Sequence, residues 1–245
     1  ELATAMEALG VTDPRFLDDA PLDSEDAGAT AAVRYEDSGM AWGEGMRAVA
    51  APDTGPAAFA RADLDEAASR LAGVLREVRP QVVVTYEPGG GYGHPDHVRA
   101  AEVARRAVEL AADAAAPRVP GGVPWEVAKF YEGVLPASEA ASAFGDDRAS
   151  WPSMVVDDAE VTAVVEAPEQ LGAKAVALRA HRSQVRVRLA GEDGAEQPSF
   201  MVSQDRWQPV WTTESYRLAR GVAAPDGQRD DGRESDLFAG IAPPS

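Results

Sequence analysis

Apolar positions in this chain recur in two patterns, helical spacing and short unbroken runs, separated by long polar stretches. Leu2, Met6 and Leu9 fall at helical spacing and Gly10 stands where a C-cap belongs, so the chain is expected to begin inside a helix with no strand before it. From about Asp18 to Pro56 the chain is rich in Asp, Gly, Ala and Pro and is expected to be mostly loop. Asp63 can cap a helix with Leu64, Ala67, Ala68, Leu71, Val74, Leu75 and Val78 on one face, ended by Pro80. The run Val82 to Tyr86 is apolar rather than alternating, as in a strand covered on both faces.

Beyond a glycine-rich stretch, Asp96 or His97 opens a helix with Ala100, Val103, Ala104, Ala107 and Ala111 inward. Val127 to Leu135 predicts a strand, followed by a loose segment to about Ser153, and Val161 to Glu166 predicts another strand. Pro168 suits the first turn of a helix running past Lys174 and Leu178 to about Arg182. Gly191 to Pro198 and Ala223 to Arg233 read as polar loops, and no internal repeat is visible. Strands alternating with helices predict an α/β layered sheet in a single domain spanning residues 1–245.

Composition narrows the chemistry. There is no cysteine, which excludes disulfides, thiolate zinc sites and a cysteine nucleophile, and which suits a reducing cytoplasm. No stretch approaches the ~20 apolar residues of a membrane helix. The net charge of −18 argues against nucleic acid or anionic lipid as partners. A small neutral or cationic molecule fits better. Lysine occurs only at Lys129 and Lys174, a bias typical of GC-rich coding.

The chemistry concentrates after the Val82–Tyr86 run. Tyr92, His94, Asp96 and His97 stand together behind Gly89, Gly90 and Gly91, and they include two of the three histidines in the chain. Imidazoles crowded behind a glycine loop at the carboxyl end of a strand suit an α/β active site. Asp96 could orient an imidazole by accepting its second N–H, and Tyr92 could place a phenol near a developing oxyanion. The plain alternative is a glycine turn whose histidines only cap the next helix. Metal-assisted hydrolysis is the chemistry these side chains suit. One histidine cannot hold zinc alone, and spacing does not choose its partners among the many carboxylates.

The segment Gly89 to His97 resembles a signature of the zinc-dependent N-acetylglucosaminyl deacetylases of the LmbE/PIG-L family, and most closely its actinobacterial mycothiol-biosynthesis branch. Asp37-Ser38-Gly39-Met40, the run Trp125 to Tyr131, Ala180-His181-Arg182-Ser183-Gln184 and Glu234 to Gly240 are similar to further segments of that family. The resemblance implies a Rossmann-like open, mostly parallel sheet with helices on both faces. It implies zinc, or ferrous iron, held by His97; His94 as general acid tuned by Asp96; and Tyr92 polarising the acetyl carbonyl. Asp37, Met40 and Gln184 would line the sugar and inositol pocket, with His181 either a substrate contact or a structural histidine. The substrate would be a small glycoside, N-acetylglucosaminyl-inositol, in the cytoplasm.

One family motif has no counterpart. The family's first strand ends in Ala-His-Pro-Asp-Asp-Glu, which supplies two metal ligands and a base, whereas the only His-Pro-Asp here is at His94. The resemblance therefore implies a chain lacking that N-terminal strand, poorly stable and inactive by itself. Two rival readings remain. Mycothiol S-conjugate amidases share the fold but carry a proline where Gly93 stands. A non-catalytic sugar-binding remnant would have no need of the Tyr92–His97 set. Trp207, Trp211 and the paired aspartates read as packing and solvated loop charge.

Overall fold

α2 and α3 start where the sequence supplies side-chain caps, and the largest sheet assembles around one central strand. The computed structural model describes residues 1–22, 34–43, 48–116, 118–202, 207–224 and 229–242. In chain order the elements are α1 (Leu2–Ala8), β1 (Met40–Trp42), β2 (Ala48–Ala50), α2 (Leu64–Val78), β3 (Val82–Tyr86), α3 (Pro95–Ala112), β4 (Lys129–Pro136) and α4 (Ala137–Phe144). There follow β5 (Val155–Val156), β6 (Ala163–Glu166), α5 (Leu171–Ala180), β7 (Arg186–Arg188), β8 (Ser199–Met201), β9 (Gln208–Pro209) and β10 (Thr213–Arg220). The molecule is mixed α/β with open sheets. Its contacts separate two compact units, Glu1–Arg15 with Val165–Glu214, and Phe16–Val164 with Ser215–Ser245.

In the larger unit the strand order is β3-β4-β10-β6, with β5 pairing β4 off that path. β3 runs parallel to β4, Val82 opposite Lys129 and Tyr86 opposite Gly133. β10 runs antiparallel to β4, so the sheet is mixed. The core lies where α2 and α3 pack together over β4, around Leu75, Val108, Leu110, Val127 and Phe130. Ala68, Ala72, Ala104, Ala107 and Ala111 belong to the same cluster, and their small side chains let the two helices approach closely.

The caps explain why α3 stands where it does. Asp63 accepts the Glu66 N–H at 2.7 Å to start α2, as its position predicted. At the far end of α2 the buried Arg76 guanidinium donates to three carbonyls at the α3 C-terminus, those of Leu110 (3.2 Å), Ala111 (3.1 Å) and Asp113 (2.6 Å). It thereby satisfies acceptors that a helix end leaves unpaired.

Two family-like segments meet in the interior. The Lys129 ammonium donates to Glu234 at 2.5 Å and to the Ala239 carbonyl at 2.7 Å, and the Tyr131 hydroxyl donates to the other Glu234 oxygen at 2.5 Å. All three side chains are buried. The Lys-Phe-Tyr strand and the Glu-Ser-Asp-Leu-Phe segment are thus held together by a hydrogen-bonded ion pair.

Several expectations need correction. β3 is not covered on both faces: Val83 joins the core, but Val84 is 47% and Tyr86 43% exposed. The supposed loop before Pro56 contains the antiparallel hairpin β1–β2, Met40 opposite Ala50. Its strands are too short to show alternation. The loose segment after β4 contains α4, an eight-residue alanine-rich helix with no side-chain cap from its own N-cap residue to announce it. β4 begins at Lys129 rather than Val127, β6 at Ala163 rather than Val161, and α5 stops at Ala180 rather than Arg182. Residues 23–33 and 44–47 of the first expected loop, and 225–228 of the last, lie outside the described residues.

In the smaller unit α1 packs on α5, and β7-β8-β9 form an antiparallel sheet. Gly10, at φ 70°, closes α1 with Val11 N–H to Met6 O (2.9 Å) and Gly10 N–H to Glu7 O (3.1 Å), the double bond of a Schellman cap. Trp207 lies under the Arg188 guanidinium at 3.8 Å, and Trp211, 49% exposed, meets Phe200 edge-on.

Candidate active site

β3 delivers the chain to the glycine loop, and the loop delivers it to α3. Gly90, Gly91 and Gly93 have φ of 69°, 76° and 93°, the left-handed region that side chains avoid. A Cβ on Gly90 would lie 2.5 Å from the Val98 nitrogen, so the loop packs directly onto the first turn of α3. The Tyr92 carbonyl accepts the Ala48 N–H at 2.8 Å, which ties the loop to β2.

His94 is the N-cap of α3. Its Nδ1 accepts the Asp96 backbone N–H at 3.2 Å, so the capping role foreseen in the plain alternative is real for this histidine. His97 does something different. Its Nδ1 lies 3.3 Å from the Gly90 carbonyl oxygen, its ring stacks on Tyr86 at 4.2 Å, and the His94 ring centre is 4.9 Å away. Tyr92 meets His97 edge-on at 5.3 Å and His94 at 6.1 Å.

The ring of His94 is oriented by the backbone of Asp96. The Asp96 carboxylate is engaged elsewhere: Ser38 donates its N–H to one oxygen at 3.0 Å and its hydroxyl to the other. Ser38 is 3% exposed and accepts the Ala60 N–H at 2.9 Å, so it is itself fixed. Beside it Asp37 uses Oδ1 to accept the Gly39 N–H at 2.8 Å. Asp37, His94 and Asp96 each bring a ligand atom within 4.8 Å of the others, a nitrogen and oxygen set that could hold a cation.

Electrostatics follow from burial. Desolvation, helped by the nearby His94, pulls the His97 pKa below its usual value against the Gly90 carbonyl and the charges of Asp96 and Asp37. Burial, then Tyr86 and Asp37, push the Tyr92 phenol up. Both effects keep His97 neutral and Tyr92 protonated at neutral pH.

Of the residues singled out from sequence, Asp37, Tyr92, His94, Asp96 and His97 are brought together. Met40 lies in β1, three residues along from Asp37. His181 and Gln184 belong to the smaller unit, where His181 is the C-cap of α5 and its carbonyl accepts the Gln184 N–H at 3.0 Å. Two residues were missed. Ser38 stood inside the quoted Asp-Ser-Gly-Met segment. Glu87, 4% exposed, accepts from Gly89 N–H (2.6 Å), Gly91 N–H (2.7 Å) and the Ser153 hydroxyl (2.9 Å). An acidic residue beside a glycine run whose amides need acceptors was the available signal.

Comparison with known proteins adds independent findings. Residues 1–108 match the family model described as PIG-L, GlcNAc-PI de-N-acetylase. A protein of Kineococcus radiotolerans named 1D-myo-inositol 2-acetamido-2-deoxy-alpha-D-glucopyranoside deacetylase is 50% identical over 257 residues, covering 100% of this chain and 67% of its own. Proteins of the same name from Streptomyces avermitilis (44% identical, 99% of this chain, 76% of theirs) and Rhodococcus erythropolis (40%, 98%, 75%) are also similar.

Proposed function

The chain belongs to the PIG-L family of GlcNAc-PI de-N-acetylases, and on that premise we propose that it hydrolyses the acetamide of 1D-myo-inositol 2-acetamido-2-deoxy-alpha-D-glucopyranoside, releasing acetate and a free amine. The reaction is the deacetylation step that the resemblance associates with mycothiol biosynthesis. The observation that carries the mechanism is the opposite hydrogen bonding of two neighbouring imidazoles.

A carbonyl can only accept, so His97 places its proton on Nδ1 toward Gly90 and keeps a lone pair on Nε2. A backbone N–H can only donate, so neutral His94 keeps its lone pair on Nδ1 and its proton on Nε2. One ring offers a ligand and the other offers a proton. His97 would hold a divalent cation, zinc or ferrous iron, which when bound would polarise the acetyl carbonyl and acidify the attacking water. His94 would donate a hydrogen bond through Nε2–H to the tetrahedral intermediate and its leaving nitrogen, since passing that proton on outright would leave an imidazolate. Tyr92, kept protonated by burial, would donate to the developing oxyanion. Asp96, pinned by Ser38, would hold His94 in that tautomer through its backbone. Asp37 and Met40 are assigned to the sugar; His181 and Gln184 rest on the resemblance alone.

Gly93 supports deacetylation over conjugate cleavage. Its φ of 93° is closed to proline, whose ring holds φ near −65°, so the proline-bearing loop of the amidases cannot take this shape. The set Asp37, His94 and Asp96 favours a second seat for the cation.

One assay series on zinc-loaded, full-length protein tests these points. Acetate should appear from the glycoside and far less product from a mycothiol S-conjugate. His94→Ala should lower kcat ~10²–10⁴-fold with metal retained, whereas His97→Ala should lose the metal. Metal lost instead in Asp37→Asn, and kept in His97→Ala, would move the cation to the second seat. Glycoside bound without acetate release would leave a sugar-binding protein.

A further inference from the structure

We propose that Glu87 is a positioning residue that sets the tautomer of His97 through a single peptide plane. The inference rests on the reading of His97 as a metal ligand. The Gly90–Gly91 peptide has its N–H end on a Glu87 oxygen at 2.7 Å and its carbonyl end 3.3 Å from His97 Nδ1. Because that unit is planar, fixing the direction of the N–H fixes the direction of the C=O.

The rest of the loop restrains the same plane. The Glu87 carbonyl accepts the Gly90 N–H at 2.9 Å, and the second Glu87 carboxylate oxygen accepts the Gly89 N–H at 2.6 Å. The Gly91 carbonyl accepts from the Ser153 hydroxyl at 2.9 Å and from the Met154 N–H at 3.1 Å. The single Ser153 hydroxyl proton is shared between that carbonyl and the Glu87 oxygen that holds Gly91, 2.9 Å from each.

Successive left-handed glycines turn their amides into a concave nest that attracts an anion. Here the protein's own carboxylate fills that nest. Among the described residues no ion pair holds Glu87, and its carboxylate meets two amides and a hydroxyl. A buried carboxylate with these neutral donors is costly unless every donor is in place. Glu87 and the loop therefore adopt their shape together. Without it, only the Gly93 N–H, at 3.3 Å, still holds the Gly90 carbonyl; as that peptide turns, Nδ1 loses its acceptor and the proton can move to Nε2, closing the atom a cation needs. Partners that orient a metal-binding histidine in this way typically change metal affinity 10–100-fold.

The test reads the tautomer directly. With three histidines in the chain, ¹⁵N side-chain spectra of metal-free protein at neutral to mildly basic pH can be assigned, using His97→Gln to identify the resonance. Wild type should show His97 with Nδ1–H, and Glu87→Ala should shift it toward Nε2–H. Zinc Kd, measured by calorimetry on the full-length protein, should rise ~10–100-fold. Glu87→Gln keeps shape and one acceptor oxygen, so it should give a smaller tautomer shift and a Kd rise of a few-fold. If Glu87→Ala does not give a cooperative thermal transition, Glu87→Gln decides. An unchanged His97 tautomer in the folded variant overturns the proposal. The spectrum needs neither metal nor substrate, so failure of wild type to release acetate would sink the deacetylase reading and leave this result standing.

Discussion

Single residues in this protein carry weight where they are buried and charged. Glu234 shows the balance. Burial raises its carboxyl pKa, but the Ala224 N–H, the Lys129 ammonium and the Tyr131 hydroxyl together outweigh burial and hold it below the ordinary value. Removing one partner of such a pair leaves an uncompensated buried charge, so Glu234→Ala should cost about 3–5 kcal/mol in urea unfolding. Lys129→Met combined with Glu234→Leu should cost much less than the sum of the single changes, because both charges leave together. An additive double mutant would show that the two groups do not act as a pair. Ser38 and Arg76 are further buried polar side chains, and their partners lie on other elements.

At the scale of elements, the site is built by the glycine loop, the start of α3 and the segment of Asp37 and Ser38. α3 is fixed at its N-terminus by His94 and at its C-terminus by Arg76 from α2. Between those ends the two helices meet through alanines, among them Ala107 with no exposed surface. Ala107→Leu should therefore overpack the α2–α3 contact and destabilise by about 1–3 kcal/mol in thermal or denaturant unfolding. The same substitution should disturb α3 and with it His94 and His97, so metal affinity should fall with stability. Unchanged stability would mean the helices can move apart freely. The elements that the sequence revealed were those with a cap or a long apolar stripe, α2 and α3 above all. The hairpin β1–β2 and the helix α4 were not visible, because three-residue strands and an uncapped alanine run leave no periodic signal.

For the molecule as a whole, charge sets the response to solvent. A net −18 is self-repelling, so Tm at pH 7 should rise between low salt and about 0.15 M NaCl, where the screening length falls to ~8 Å. Acid acts the other way. Glu234, and Asp158 held by Ser138, have folded-state pKa values below the ordinary carboxyl values of 4.5 and 3.8. Their stabilisation is present above those ordinary values and is lost as pH falls through the lower folded ones. Stability measured from pH 6 downward should therefore drop below about pH 4.5, and Glu234→Gln should flatten part of that drop. A drop of equal size in Glu234→Gln would remove Glu234 from its cause. What the sequence determined by itself was local: the caps, the apolar periods, the glycine loop and the run of Tyr92, His94, Asp96 and His97, all readable because the residues involved are neighbours in the chain. The tertiary structure decided the rest. Asp96 is answered by Ser38, 58 positions away, Lys129 by Glu234, 105 away, and the proton on His97 by a carbonyl whose direction Glu87 sets. Hydrogen-bond partners and tautomers depend on distance in space, and no pattern along a single chain records that distance.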